Sequence, residues 1–500
     1  MPTKTDAIDV LIVGAGLSGI DAAYRLTERN PDLKYTIVEQ RDQLGGTWDL
    51  FRYPGVRSDS DIFTLSFPWY PWKGTRTVAE GHEIREYLED TAQHFGIDKH
   101  IDFGVKVLAA DFDTSTDLWT VETEVGGKKR TYTSRFLYVC AGYYRYDRGY
   151  EPDFPGIDKF GGQVVHPQFW PEDLDYTGKK VVVIGSGATA VTLIPSMADD
   201  VEKITMLQRS PTYMLALPWS DPMTKIVQKV LPGTAAHRVI STRNALATFS
   251  FYQYCRLFPK LSRRTLRAMA KAQLPKGYPV DVDFKPKYEP WDQRLCVIPA
   301  GDLYTAIRKG KAEVVTDQID SFDETGILLK SGKHLDADII VTATGLELVA
   351  MGGAEVSIDG AEQKPGDKYA YRGYMLNDVP NLAWAVGYTN ASWTLRVDLT
   401  AQAVAKLIAL MREKGYTHAY PTAEGEVLED APLLELDSGY VQRAQGNIPK
   451  AARTQPWVVR HNLVLDAYDA RRYDLTEAMV FGTADQGNGK GKKKEAKASA

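Results

Sequence analysis

Two stretches of the chain carry one pattern of apolar and small residues. In each, a β-branched apolar run enters a glycine-rich turn and then a helix-favouring stretch: Asp9–Ile20 (DVLIVGAGLSGI) and Val181–Ala190 (VVVIGSGATA). Near-continuous apolar runs predict parallel strands buried on both faces by helices. Roughly 170 residues separate the two, which predicts two α/β units rather than one at the usual domain size. A third apolar run, Asp338–Thr342, ends in Ala343-Thr344-Gly345, where small residues suit a chain crossing back between the units. The predicted class is therefore α/β, with two Rossmann-like dinucleotide-binding domains.

Other segments break this pattern. Residues 145–160 are rich in Pro, Gly and Asp and read as a linker. Residues 222–275 are basic and helix-favouring, with Phe249, Phe251, Tyr252, Tyr254 and Phe258 among them; they read as a helical insertion in the second unit. Gly487 to Ala500 holds five lysines among Gly, Ala and Ser and reads as a disordered basic tail.

The first turn is Gly14-x-Gly16-x-x-Gly19. Its glycines allow a tight bend, close approach of backbone to a pyrophosphate, and close helix–strand packing. The helix start offers free N–H groups and partial positive charge to phosphates. Glu39 lies 20 residues beyond Gly19 at the end of the next apolar run, where an acid accepts hydrogen bonds from ribose hydroxyls. Gly45-Gly46-Thr47-Trp48-Asp49 follows; two glycines let the chain pass a flat ligand and Trp48 can cover it, so FAD is assigned here. Next, Arg52-Tyr-Pro-Gly-Val-Arg57-Ser-Asp59 gathers two cations and a carboxylate around a turn. From the residues alone this is equally an ion-paired surface turn.

Gly185-Ser186-Gly187-Ala188-Thr189-Ala190 repeats the device. The strand after it ends in Arg209-Ser210 with no acid. A carboxylate there would repel a 2′-phosphate, whereas a guanidinium forks onto one, so NADPH is expected in preference to NADH. The layout that follows is 1–144 and 346–486 for FAD, 145–160 as linker, and 161–345 for NADPH.

Composition narrows the class. Of 500 residues 44% are hydrophobic and 25% charged, with a net charge of −5, which gives no global field for nucleic acid. Three cysteines, Cys140, Cys255 and Cys296, stand far apart without a C-x-x-C pair, against a disulfide framework or dithiol centre. No metal site is expected. The N-terminus has no signal-peptide pattern and no run approaches the roughly 20 apolar residues of a spanning helix, so the expected location is the cytoplasm.

Between the glycine turns stands Phe160-Gly-Gly162-Gln-Val-Val-His166-Pro-Gln-Phe-Trp170-Pro171, which matches F-x-G-x-x-x-H-x-x-x-W-P. With this motif the chain resembles the Baeyer–Villiger monooxygenases. Arg52–Asp61 (RYPGVRSDSD), Met206–Tyr213 (MLQRSPTY), Pro290–Cys296 (PWDQRLC) and Val386–Leu395 (VGYTNASWTL) make it similar to the ethionamide-activating branch over about residues 8 to 480. The resemblance implies the glutathione-reductase-like type of two-domain fold. It also implies that Arg294 is the catalytic arginine, that Asp59 pairs with it, and that Ser18, Thr47, Trp48, Asp49 and Val107 contact FAD. His166 is implied to be a linker residue without proton-transfer chemistry. Many relatives outside the branch carry Lys-Arg where this chain has Gln293-Arg294, which leaves more of the 2′-phosphate to Arg209.

The implied activity is insertion of an oxygen atom from O₂ into ketones, especially methyl ketones and arylacetones, and oxidation of sulfide or thioamide sulfur. Segment 249–258 and Pro211–Trp219 (PTYMLALPW) read as a lipophilic pocket lining or as plain core of the insertion. A weak membrane-surface role for the basic insertion also stays open, and the oligomeric state is not readable. Two other readings compete: oxidation of soft nitrogen and sulfur alone, and an uncoupled NADPH oxidase or redox sensor. Trp170 argues against the first, and retention of Arg294 with Asp59 against the second.

Overall fold

A computed structural model describes residues 7–484; the tail assigned to 487–500 lies outside the described residues. Strand Ile8–Val13 pairs in parallel with Tyr35–Val38 on one side and with the C-terminal half of Lys128–Val139 on the other. Tyr35–Val38 in turn pairs with Ile101–Asp102. The long strand Lys128–Val139 joins the parallel and antiparallel parts of one eleven-stranded sheet. Its later residues lie between Ile8–Val13 and Leu382–Trp384, both parallel to it. Its earlier residues run antiparallel to Leu118–Val125, which pairs with Val105–Asp113. Val10, Leu11, Ile12, Leu137 and Tyr138 are almost fully buried, as a parallel strand covered on both faces requires.

The second unit is a five-stranded parallel sheet in the order Ala312–Thr316, Lys203–Gln208, Lys180–Ile184, Ile339–Thr342, Gln163–Val165. Three helices, Pro222–Val230, Gly233–Leu257 and Pro259–Gln273, occupy the insertion. The chain then forms a short parallel pair, Met214–Leu217 with Cys296–Pro299, and this pair carries the residues around Arg294.

Two stretches join the units, and they pair with each other. Val349 N–H donates to Tyr143 O at 2.9 Å, Arg145 N–H to Glu347 O at 2.9 Å, and Tyr150 N–H to Gly345 O at 3.1 Å. The Thr344 hydroxyl donates to Tyr150 O at 2.6 Å. The outgoing linker and the returning Ala-Thr-Gly turn thus form one two-stranded crossing.

The returning chain is locked to the first sheet by Asn381. Its amide donates to Arg135 O and Thr417 O at 2.9 and 2.8 Å, and its carbonyl accepts from Ala419 N–H at 2.9 Å. Its φ of 50° is one that Asn tolerates better than most residues. The long helix Thr394–Lys414 then lies against Leu17–Arg29, tied by Arg25 to Asp398 at 2.7 Å and by Asn30 to Ala405 O at 3.2 Å.

Candidate active site

Gly14 sits at φ 103°, and a Cβ there would stand 2.8 Å from Cys140 O; one on Gly19 would meet Gly14 O at 1.9 Å. These two positions hold strand and helix together. Gly16 and Gly46 do something else: a Cβ on Gly46 would reach 3.1 Å from Gly16 Cα, so two bare backbones face each other on the cleft wall. Glu39 is buried, and its carboxylate accepts the N–H of Ala15 at 2.8 Å and of Arg41 at 3.0 Å. It therefore braces the glycine turn while still lining the cleft; burial raises its pKa.

The cleft has a volume of about 390 Å³, within the roughly 300–1,000 Å³ of small-molecule and cofactor sites. Gly14, Gly16, Ser18, Glu39, Gly46, Thr47, Trp48, Asp59 and Val107 line it. Val107 reaches it beside a register shift between Val107 and Ala109. The Ser18 hydroxyl accepts from Trp393 Nε1 at 2.9 Å, which brings Trp393 onto the same wall. Asp49 stands apart. Its buried carboxylate is knotted to Arg41 at 2.5 Å, to Arg52, and to Arg85 at 3.6 Å, and it does not line the cleft. A carboxylate so engaged shapes the wall from behind.

From the second unit, Ala188 and Thr189 line the same cleft. Gly185, at φ 140°, would put a Cβ 2.3 Å from Ala343 O, whereas one on Gly187 would meet no atom within 4 Å. Gly187 caps helix Ala188–Met197, so this N-terminus faces open space where an anion fits. Ala190 is fully buried and sets the helix close to the sheet. The Ser186 hydroxyl bonds the Thr212 hydroxyl at 2.8 Å and Ser210 O at 3.3 Å. Arg209, at the end of strand Lys203–Gln208, is exposed and belongs to none of the ion pairs among the described residues. Neither Arg209 nor Ser210 lines the cleft. The first glycine turn and the start of the helix after the second thus border one cavity, while Arg209 lies outside its lining, at the end of the strand that follows the second turn. The residues present fit two bound dinucleotides: bare glycine backbone, two helix N-termini, and a free guanidinium.

Arg294 opens onto this cleft and onto a small chamber behind it lined by Tyr143, Tyr388, Trp393, Leu434, Leu436 and Tyr440. Burial works against its charge, but Tyr143, Tyr144, Tyr440 and Asp59 together raise its pKa, so it stays a cation. Burial raises the pKa of Asp59, while Arg294 and Arg57 pull it back down. No ion pair joins Asp59 to Arg294 directly; the coupling is through space. The pairing implied by the sequence is electrostatic here. His166 caps the short turn Pro167–Phe169, its Nδ1 accepting from Gln168 N–H at 3.2 Å, and burial lowers its pKa; it is not among the cleft-lining residues.

Sequence and fold together match known proteins. Residues 7–351 match the family described as flavin-binding monooxygenase-like. This chain belongs to that family. It is 48% identical to the FAD-containing monooxygenase EthA of Mycolicibacterium smegmatis, over 92% of this chain and 94% of that protein. It is 47% identical to the probable FAD-binding monooxygenase AlmA of Acinetobacter baylyi, over 92% and 93%. Among solved structures it resembles an oxidized steroid monooxygenase bound to NADP, with a TM-score of 0.77 at 24% identity, covering 95% of this chain and 100% of that one. Cyclohexanone monooxygenase with ε-caprolactone bound follows at a TM-score of 0.75 and 21% identity, covering 95% and 99%. The family relationship and the two-domain fold read from the sequence both hold.

The cleft of this flavin monooxygenase also takes in Arg57, read from the sequence only as a cation of the 52–59 turn, and tyrosines that sequence reasoning did not single out. Arg57 is buried and ion-paired to Asp302 at 2.6 Å, yet its Nε and Nη2 have no partner; it lines the cleft. Tyr143, Tyr144 and Tyr146 line it too. The signal for the tyrosines was Ala141-Gly142 after strand Lys128–Val139, the same small-residue strand end as Ala343-Thr344-Gly345. Among the described residues no helix is long and apolar enough to cross a membrane.

Proposed function

We propose that this FAD- and NADPH-dependent monooxygenase inserts oxygen beside the carbonyl of ketones, with Arg294 as the catalytic residue. Methyl ketones and arylacetones are the favoured substrates, and sulfides or thioamides are secondary ones. One observation carries the reading: the half-buried guanidinium of Arg294 borders both the cleft of the first glycine turn and a small tyrosine-lined chamber. When bound, the flavin would supply the hydride-accepting and O₂-activating chemistry, with NADPH as the hydride source, while the protein supplies position and field. Gly14, Gly16, Gly46 and Glu39 would hold the FAD diphosphate and ribose. The open N-terminus at Gly187 would receive the NADPH diphosphate, with Arg209 on the 2′-phosphate.

Arg294 answers the electrostatic demand of the reaction. Attack on a ketone carbon builds negative charge on the carbonyl oxygen, and a guanidinium meets it with fixed donors that do not lose their protons. Asp59 is a positioning residue: its field limits the net positive charge of the cleft without taking up the donors of Arg294. Tyr143, Tyr388 and Trp393 shield the reacting atoms from water.

A panel of ketones and sulfides, with product masses for wild type and Arg294→Ala, tests this. A gain of one oxygen on ketones, lost in the variant, is the expected result. Ketone turnover unaffected by the substitution would overturn the assignment.

A further inference from the structure

We propose that the helical insertion docks on the surface of an anionic lipid bilayer. Residues 222–275 contain ten lysines and arginines and not one aspartate or glutamate. The whole chain carries −5, so the remainder carries −15 and the insertion is a +10 island on an acidic body.

Four of these cations are engaged with the body: Arg243 with Asp221, Arg256 with Asp292 at 2.8 Å, Arg263 with Glu289 at 3.0 Å, and Arg267 with Asp281 at 2.5 Å. The other six, Lys225, Lys229, Arg238, Lys260, Arg264 and Lys271, belong to none of the ion pairs among the described residues and are exposed. Charges left free on one element are available to an external anionic surface.

The same element exposes aliphatic side chains. Met223, Ile226 and Val230 recur at helical spacing on Pro222–Val230, interleaved with Lys225 and Lys229. On the 25-residue helix Gly233–Leu257, the exposed Val239, Leu246 and Leu257 lie seven and eleven residues apart. Both intervals are close to whole turns, so the three share one stripe. Phe258 and Leu261 continue the apolar surface beside Lys260. Val230 and Leu257 are 74% and 68% exposed. Exposed apolar positions interleaved with free cations, as on Pro222–Val230, are the composition of an interfacial amphipathic helix. An anionic bilayer satisfies both parts at once; nucleic acid offers no apolar phase for the stripe.

The insertion also touches the chemistry. Arg256, Arg263 and Tyr252 brace Asp292, Glu289 and Trp291, the last by ring contact at 5.5 Å, just before Arg294. A docked insertion therefore bears on the segment that carries the guanidinium.

Co-sedimentation with phosphatidylcholine vesicles, with and without phosphatidylglycerol, tests the proposal on the full-length FAD-loaded protein. The expected result is pelleting with phosphatidylglycerol vesicles at low salt, and little with pure phosphatidylcholine or at high salt. A free lysine near an anionic surface strengthens binding about fivefold. Reversing three, in K225E/K229E/K260E, is expected to weaken partitioning at least about tenfold. The double variant V230S/L257S, with every charge retained, is expected to weaken it as well. NADPH consumption in solution reports that each variant is folded, since none of these residues lines the cleft. Absence of pelleting with anionic vesicles at low salt would overturn the proposal, as would equal pelleting of the charge-reversed variant. Self-association without vesicles that the same substitutions abolish would assign the face to a second copy of the chain instead.

Discussion

Asp59 and Arg294 border one cleft and shift each other's ionisation without an ion pair between them. An arginine clamped by its carboxylate would have its donors already spent. Left unclamped, it has them free for the role proposed for it, the stabilisation of charge that develops on a carbonyl oxygen, with the carboxylate tempering the field from a distance.

Arg294→Ala is expected to lower kcat for ketone oxygenation by about 10²–10³-fold, the usual loss of one oxyanion-stabilising donor. Reduction of the flavin by NADPH should persist. Stopped-flow absorbance of flavin reduction beside product yield separates the two steps; equal loss in both would make Arg294 structural.

Arg209→Ala is expected to raise the KM for NADPH by about tenfold or more, as removal of a charged phosphate contact costs over about 1.4 kcal/mol. The KM for NADH should barely move. Steady-state kinetics with both nucleotides decides it, and equal effects would remove the 2′-phosphate reading.

Gly187→Ala and Gly14→Ala make a contrasting pair. A Cβ at 187 meets no atom within 4 Å, whereas at 14 it meets Cys140 O at 2.8 Å on a backbone of φ 103°. Gly187→Ala should fold and bind FAD but weaken NADPH binding; Gly14→Ala should lose FAD or fail to fold. Flavin content after purification and the KM for NADPH are the readouts.

Asp61 supplies a pH test of stability. Burial pushes its pKa up to about 6 from the ordinary 3.8, although Asn244 and the Phe63 and Thr64 N–H groups oppose the shift. The native state thus holds the proton more tightly than the unfolded state. The stabilisation is complete below about pH 4 and is lost as pH rises through 6. Two units correspond to about 3 kcal/mol, reduced to about 1–2 kcal/mol for a partly exposed carboxyl. Asp61→Asn, which can still cap helix Ile62–Leu65, should raise the unfolding midpoint at pH 7.5 by about 1–2 °C and leave it unchanged at pH 4. An equal gain at both pH values would rule out the titration.

Glycine fingerprints, strand class and family were legible in the chain because each is a local requirement. Only glycine fits φ 103° at residue 14, where a Cβ would press to 2.8 Å from Cys140 O, inside van der Waals contact, and only an all-apolar run such as Val181–Ile184 suits a strand buried on both faces. The role of Asp49 was not legible: a carboxylate beside a flavin motif and one knotted to Arg41, Arg52 and Arg85 read alike in one dimension. Tyr143 and Tyr144 were equally silent, and Arg57 and Trp393 stood out only as members of longer motif strings, since what gives all four a role is the cavity they border.

By itself, then, the sequence determined where the glycine-rich turns between strand and helix form and which residues carry charge, because those depend on neighbours within a few positions. That residues 59 and 294, more than two hundred positions apart, come together was implied only through the family resemblance; the tertiary structure put both on one cavity and left them without an ion pair. It also decided that the linker and the returning Ala-Thr-Gly turn pair as one crossing. Long-range contacts follow from how sheets and helices bury their apolar faces together, and no local pattern encodes that packing.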